Sequence, residues 1–231
     1  TLFPYTTLFR SYDTQILPII LYCSEIWGVH EWRMLESFHV KFCKYVLGVG
    51  VNSTNAAVLS ECGRHNLVCF TILRCVKYWC KLLCMNDNRY PKQCYIMLTK
   101  LDNSGRETWV SHIRKIICLY GFSYAWEFQN IINIDMFVKQ FSQRIIDCNS
   151  QSILSELNDH SNLDFYSSVK ESFKTESYLS TIRNKDLRRF LTLLRIGELN
   201  IMKNNGRKNN VPRELRLCPF CKDKLEDELK N

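Results

Sequence analysis

The chain has 231 residues, of which 46 % are apolar and 13 % aromatic, enough to bury a core in one or two domains and to exclude wholesale disorder. Eight glycines and five prolines are too few for a sandwich or barrel built from tight turns, so the expected class is all-α. The net charge of +8 favours an anionic partner, and the longest nearly apolar run, 16–23, is too short to span a bilayer, so no membrane anchor is expected.

The opening stretch, TLFPYTTLFRS (1–11), reads by composition as a short strand that Pro4 confines to an edge, and it lacks the pattern of a secretory signal. The spacing of Leu35, Phe38, Phe42 and Val46 predicts a helix over 32–48, stopped by Gly48. A short helix over 55–61 follows, capped by Ser53 or Thr54 and ended by Gly63. Residues 67–85 form the strongest helical pattern, with Leu73, Val76, Cys80 and Leu83 as its buried stripe. Arg74, Lys77 and Lys81 share another face, either touching phosphates or keeping that face wet. Further helices are predicted over 89–101, with Pro91 in the first turn, then 107–121, 134–148, 151–158, 163–174 and 177–196. The Asn-rich segment 200–212 reads as a linker to a cysteine-bearing tail, 213–231.

The positive charge is concentrated. Residues 178–216 carry ten basic and three acidic side chains, whereas residues 1–177 carry 18 and 16. Such bunching is the footprint of a nucleic-acid contact, or else a solvated basic face without a ligand. The twelve cysteines lie largely within apolar helical stretches, which points to reduced, buried thiols in an intracellular protein of the cytoplasm or nucleus.

Cys218 and Cys221 have the C-x-x-C spacing with which two thiolates grip a tetrahedral zinc. Only ten residues follow, none of them His or Cys, so the pair is either an incomplete half-site or a chance spacing. No cofactor is expected unless further zinc ligands are supplied. There is no nucleophile elbow, Gly-rich phosphate loop or H-E-x-x-H motif, and the five histidines share no ligand spacing; His39 and His112 are expected at the surface or at an interface. Two-metal nucleotidyl transfer needs paired carboxylates that the chain does not show, so no catalytic residue is assigned and no small-molecule substrate is expected.

Several blocks, in order, look like one family. They are ILPIILYCSEIWG (16–28), LESFHVKFCKYVLGVGVNSTNAAVLSECGRHNL (35–67), VKYWCKLL (76–83), GFSYAWEFQ (121–129) and LTLLRIGELNIMKNNGR (191–207), leading into RELRLCPFCKDKLEDE (213–228). Together they resemble the region downstream of the palm in reverse transcriptases of animal non-LTR (LINE-type) retrotransposons. The family's P-x-L-x-Y-G-x-E-x-W element is matched by Pro18, Tyr22, Glu25 and Trp27, with Cys23 where Gly is usual. Its next block is matched by Lys44, Leu47, Gly48, Val49, Thr54, Asn55 and the E-x-G-R residues Glu61, Gly63 and Arg64.

The resemblance implies a helical thumb-like region over 12–176, a basic helical segment over 177–199, the linker and a truncated zinc knuckle. It also implies a fragment without the catalytic palm, whose remaining capacity is binding RNA or DNA through the backbone. The expected contacts are Arg183, Arg188, Arg189, Arg195, Arg207, Lys208, Arg213 and Arg216, then Arg74, Lys77 and Lys81, with Lys44 and Arg64 carried over from the family blocks. Phe190 and Phe220 are candidates for stacking on bases, although Phe190 is read first as a core residue. Thumb surface left bare by the missing palm is expected to promote self-association. The rival reading is a helical protein-interaction scaffold. Residues 1–11 match, residue for residue, one reading frame of a widely used sequencing-library adapter, so this segment is set aside from the fold and expected to pack loosely or not at all.

Overall fold

The computed structural model describes residues 5–30, 32–159, 163–170, 172–199 and 209–217. It is mostly helical with almost no strand, as the scarcity of Gly and Pro requires. The helices are α1 (Tyr5–Ser11), α2 (Leu17–Ile20), α3 (Ser24–Trp27), α4 (Arg33–Leu47), α5 (Asn55–Cys62), α6 (Leu67–Leu83) and α7 (Tyr90–Asn103). They continue with α8 (Trp109–Leu119), α9 (Ser123–Phe128), α10 (Ile134–Asp159), α11 (Asp164–Val169), α12 (Ser177–Thr181) and α13 (Lys185–Arg195). A π-helical turn, Tyr12–Ile16, joins α1 to α2. No helix among the described residues is long and apolar enough to cross a membrane.

The opening segment departs from both expectations. It is helical from Tyr5, and Phe9 is only 6 % exposed, so a buried aromatic anchors a stretch expected to pack loosely. His39 is also buried rather than at a surface, sharing a 2.9 Å hydrogen bond through Nδ1 with the buried Tyr12 hydroxyl.

The chain divides into two compact units. One comprises Phe9–His39 and His65–Ser152. Its core is built from Cys75, Val76, Trp79 and Cys80 of α6, Val110, Ile113 and Ile117 of α8, and Phe137, Phe141 and Ile145 of α10. Phe122 fills the space between them, meeting Phe137 edge-to-face at 5.6 Å and Phe141 at 5.3 Å. The buried stripe of α6 lies slightly to one side of the predicted one: Val76 and Cys80 are buried, while Leu73 and Leu83 are only partly so. The α6 N-terminus is closed from outside its own sequence, with Leu67 N donating to Glu36 Oε2 (2.8 Å) and Asn66 N to Asn149 Oδ1 (3.3 Å). That use of Asn149 explains why α10 runs unbroken through 149–150, where two helices were predicted. The polar side chain is spent on tertiary bonds instead of ending the helix.

The other unit comprises Thr1–Leu8, Val40–Arg64 and Ile153–Asn231. Its buried side chains include Val40, Cys43, Val46 and Leu47 of α4, Ala57, Val58 and Leu59 of α5, Ile153 and Leu157 of α10, and Tyr166 of α11. Gly48 and Gly63 end α4 and α5 as predicted, at φ +72° and +60°. Gly63 is also a point of close approach. A Cβ there would lie 2.2 Å from Thr175 N, and the strand of chain it admits is held by Glu176 N donating to Glu61 O and Thr175 Oγ1 donating to Cys62 O.

Candidate nucleic-acid interface

The basic segment is two helices, not the single one predicted over 177–196. The chain extends at Ile182, and Asn184 then caps α13 by accepting from Asp186 N (2.9 Å) and Leu187 N (3.0 Å). This start sets the register of every basic residue that follows. The face of α13 turned inward is centred on Arg188, Thr192 and Arg195. Beside it runs an apolar stripe, Leu187, Phe190, Leu191 and Leu194, of which Leu187 is 55 % and Phe190 53 % exposed. Phe190 is therefore not a core residue.

The inward face docks on a charged cluster. Arg195 Nε donates to Glu61 Oε1 at 2.8 Å, and Arg195 Nη2 lies 3.1 Å from Glu176 Oε2. Tyr178 Oη donates to the same Glu61 oxygen at 2.6 Å and shares a 2.8 Å hydrogen bond with Thr192. Lys170 Nζ, almost fully buried, pairs with Glu176 Oε1 at 2.6 Å. The Arg195 guanidinium also lies 5.8 Å from the Tyr166 ring centroid and 5.7 Å from that of Tyr178. Burial opposes the charge on Arg195, but Glu61 and Glu176 outweigh it and raise the pKa. Burial, with the Glu61 charge added, pushes both tyrosine hydroxyls upward, so they remain neutral donors.

Arg195 is thus corrected from a surface contact to an internal clasp, because its side chain is only 16 % exposed and its charge is paired with Glu61 and Glu176. Lys44 is corrected likewise. It is buried, its Nζ donates to Val51 O at 2.8 Å, and desolvation lowers its pKa against the opposing pull of Glu198. Arg64 is half-buried and has partners of its own. Arg188 is half-buried, donating from Nη1 to Ile182 O, and Arg216 is half-buried, donating from Nε to Val211 O.

The exposed cations of this segment are Arg183, Lys185 and Arg189; Arg189 Nε donates to Gly48 O at 2.7 Å. Lys185 was not singled out by the sequence reading, although Asn184 followed by Lys-Asp is a helix-start signal that places it outward. On α6, Arg74, Lys77 and Lys81 are all exposed along one face, as predicted, with Arg74 Nη1 donating to Leu21 O at 2.6 Å. The backbone of Arg213 lies in a short 3-10 turn, Arg213–Leu215. Arg207, Lys208, Phe220 and the Cys218–Cys221 pair lie outside the described residues. Among those that are described, no group of three or more His, Cys, Asp or Glu side chains is arranged to hold a metal.

No protein-family model, curated protein or solved structure matches the chain.

Proposed function

We propose that the chain is a non-catalytic, thumb-like piece of a retrotransposon RNA-directed DNA polymerase that binds RNA or DNA through α13 and the residues leading into it. The observation that carries this reading is the exposed combination of Arg183, Lys185 and Arg189 with Phe190. Cations neutralise phosphates without regard to sequence, and an exposed ring offers a face on which any base can stack. The backbone supports the family resemblance. Gly48 and Gly63, both in the matched blocks, have left-handed φ, and Cys23, standing where the family has Gly, also has a positive φ of 54°.

The test is binding of a single-stranded oligonucleotide at low salt by the intact chain and by R183A/K185A/R189A and F190A. The reading expects the triple variant to lose binding and F190A to weaken it about tenfold, within the range of one lost base stack. Absence of binding by the intact chain at low salt overturns it. On a primed RNA template the chain alone is expected to extend nothing.

A second reading is favoured by the Leu187, Phe190, Leu194 stripe, which also suits a helical protein-interaction scaffold. Concentration-dependent self-association that F190A abolishes, without nucleic-acid binding, would select it. For residues 1–11 we propose an adapter origin; a genomic long read encoding other residues before Tyr12 supports it, and one encoding the same eleven refutes it.

A further inference from the structure

A pocket lies where the turn after α3 meets the starts of α4 and α6. It is a small, open-mouthed pocket of about 120 Å³, lined by Trp27, His30, Trp32, Arg33, Val68 and Thr71, among others. Its shape is fixed by bonds that need no ligand. Arg74 Nη1 donates to Leu21 O, Cys75 Sγ to Ser24 O (3.2 Å) and Trp109 Nε1 to Glu25 O (3.2 Å), holding the α3 region on α6 and α8. Gly28 permits the approach: a Cβ there would lie 2.7 Å from Thr71 Cβ and 2.3 Å from Ser24 O.

The two indoles stand edge-to-face, with centroids 5.8 Å apart and planes at 89°. Each ring N–H is turned to backbone, Trp27 Nε1 to Tyr22 O (2.9 Å) and Trp32 Nε1 to Trp27 O (3.4 Å). Trp32 is 47 % exposed, so part of its ring surface is open to a ligand. Among the described residues Glu36 is the carboxylate in the lining, and its Oε2 accepts the α6 amide of Leu67. Arg33 is exposed.

We infer that this pocket takes one unpaired nucleotide, its base against the face of Trp32 and its phosphate on the Arg33 guanidinium. An aromatic face suits any base, and a guanidinium matches phosphate bidentately. A quaternary ammonium, which paired indoles also attract, is opposed by the Arg33 charge. The inference rests on the nucleic-acid reading but involves none of the α13 residues.

The experiment titrates the full chain with adenosine 5′-monophosphate, adenosine, inorganic phosphate and tetramethylammonium, following tryptophan fluorescence. Saturable quenching by the nucleotide is expected, weakened about tenfold or more by W32A and restored by W32F, as loss and rescue of one stack require. R33A should weaken the nucleotide and leave adenosine unchanged. R183A/K185A/R189A should leave nucleotide binding intact while abolishing oligonucleotide binding. Circular dichroism of W32A and R33A verifies that each is folded. No saturable nucleotide signal at millimolar concentration, or a response to tetramethylammonium alone, overturns the inference. If the oligonucleotide still binds through α13 in that case, the interface reading stands.

Discussion

Removing Arg195 should unfold the unit that carries the basic helix more readily than any other single charge deletion on α13. In Arg195→Met the hydrophobic stem remains, but Glu61 loses the cation at 2.8 Å while staying fully buried at 0 % exposure. Breaking a buried pair from one side costs about 3–5 kcal/mol, because the surviving Glu61 charge is shut off from water and keeps the neutral Tyr178 hydroxyl in place of a countercharge. In Glu61→Gln the cost is smaller. Arg195 keeps Glu176 at 3.1 Å and the residual solvent contact of a side chain 16 % exposed, so about 2 kcal/mol is expected, comparable to one lost charge-assisted hydrogen bond. The double variant should cost less than the sum of the two, since neither orphan then exists. Urea unfolding followed by far-UV circular dichroism measures all three. A loss below about 1 kcal/mol for R195M, the range of an exposed pair, would refute the buried clasp, as would strict additivity in the cycle.

Other outcomes follow from the same geometry. Cys23→Gly should stabilise by about 0.5–1 kcal/mol, since the left-handed backbone at φ 54° costs a side chain roughly 1–2 kcal/mol and the added chain entropy of Gly returns only part of it; thermal melting measures this. Gly63→Ala should be more harmful than Gly105→Ala, because both have positive φ but only at Gly63 would the new Cβ meet backbone at 2.2 Å, whereas Gly105 faces open space; equal melting temperatures would contradict this. Burial, aided by nearby Glu or Cys charge, pushes the Cys69, Cys75 and Cys80 thiols up to about 12 from 9.0, and the Tyr166 and Tyr178 hydroxyls also rise. A raised pKa of an acid favours its neutral form in the folded state, so this stability is complete below pH 9 and is lost as pH climbs from 9 towards 12, visible as alkaline unfolding. Brief alkylation with site mapping by mass spectrometry should label Cys23, Cys84, Cys94, Cys118 and Cys148 ahead of the buried Cys43, Cys62, Cys69, Cys75 and Cys80.

Much of the helical architecture could be read from the chain. Gly48 and Gly63 end helices where their positions predict, Pro91 sits in the first turn of α7, and the wet face of α6 carries Arg74, Lys77 and Lys81. What escaped were features decided by partners distant in sequence. Asn149 looked like a helix end because nothing local shows that it accepts from Asn66 N. Arg195 looked like a phosphate contact because its partners, Glu61 and Glu176, are far back along the chain. Phe190 reads first as a core residue, but the inward side of α13 is taken by Thr192 and the charged cluster, leaving the ring outside. The Asn184 cap is the exception, since its signal was local and would have corrected the register of α13. The pocket between Trp27 and Trp32 had no signature in spacing, because its far wall comes from α6.

The most direct measurement is the salt dependence of oligonucleotide affinity, read by fluorescence anisotropy with a labelled single strand of mixed sequence. Three exposed cations on phosphates predict a log–log slope of about −2 or steeper, at roughly −0.7 per contact on a single strand. Each single variant, R183A, K185A or R189A, should flatten that slope by about 0.7. No binding at low salt, or a slope that all three single variants leave unchanged, would contradict the assignment of this surface to nucleic acid.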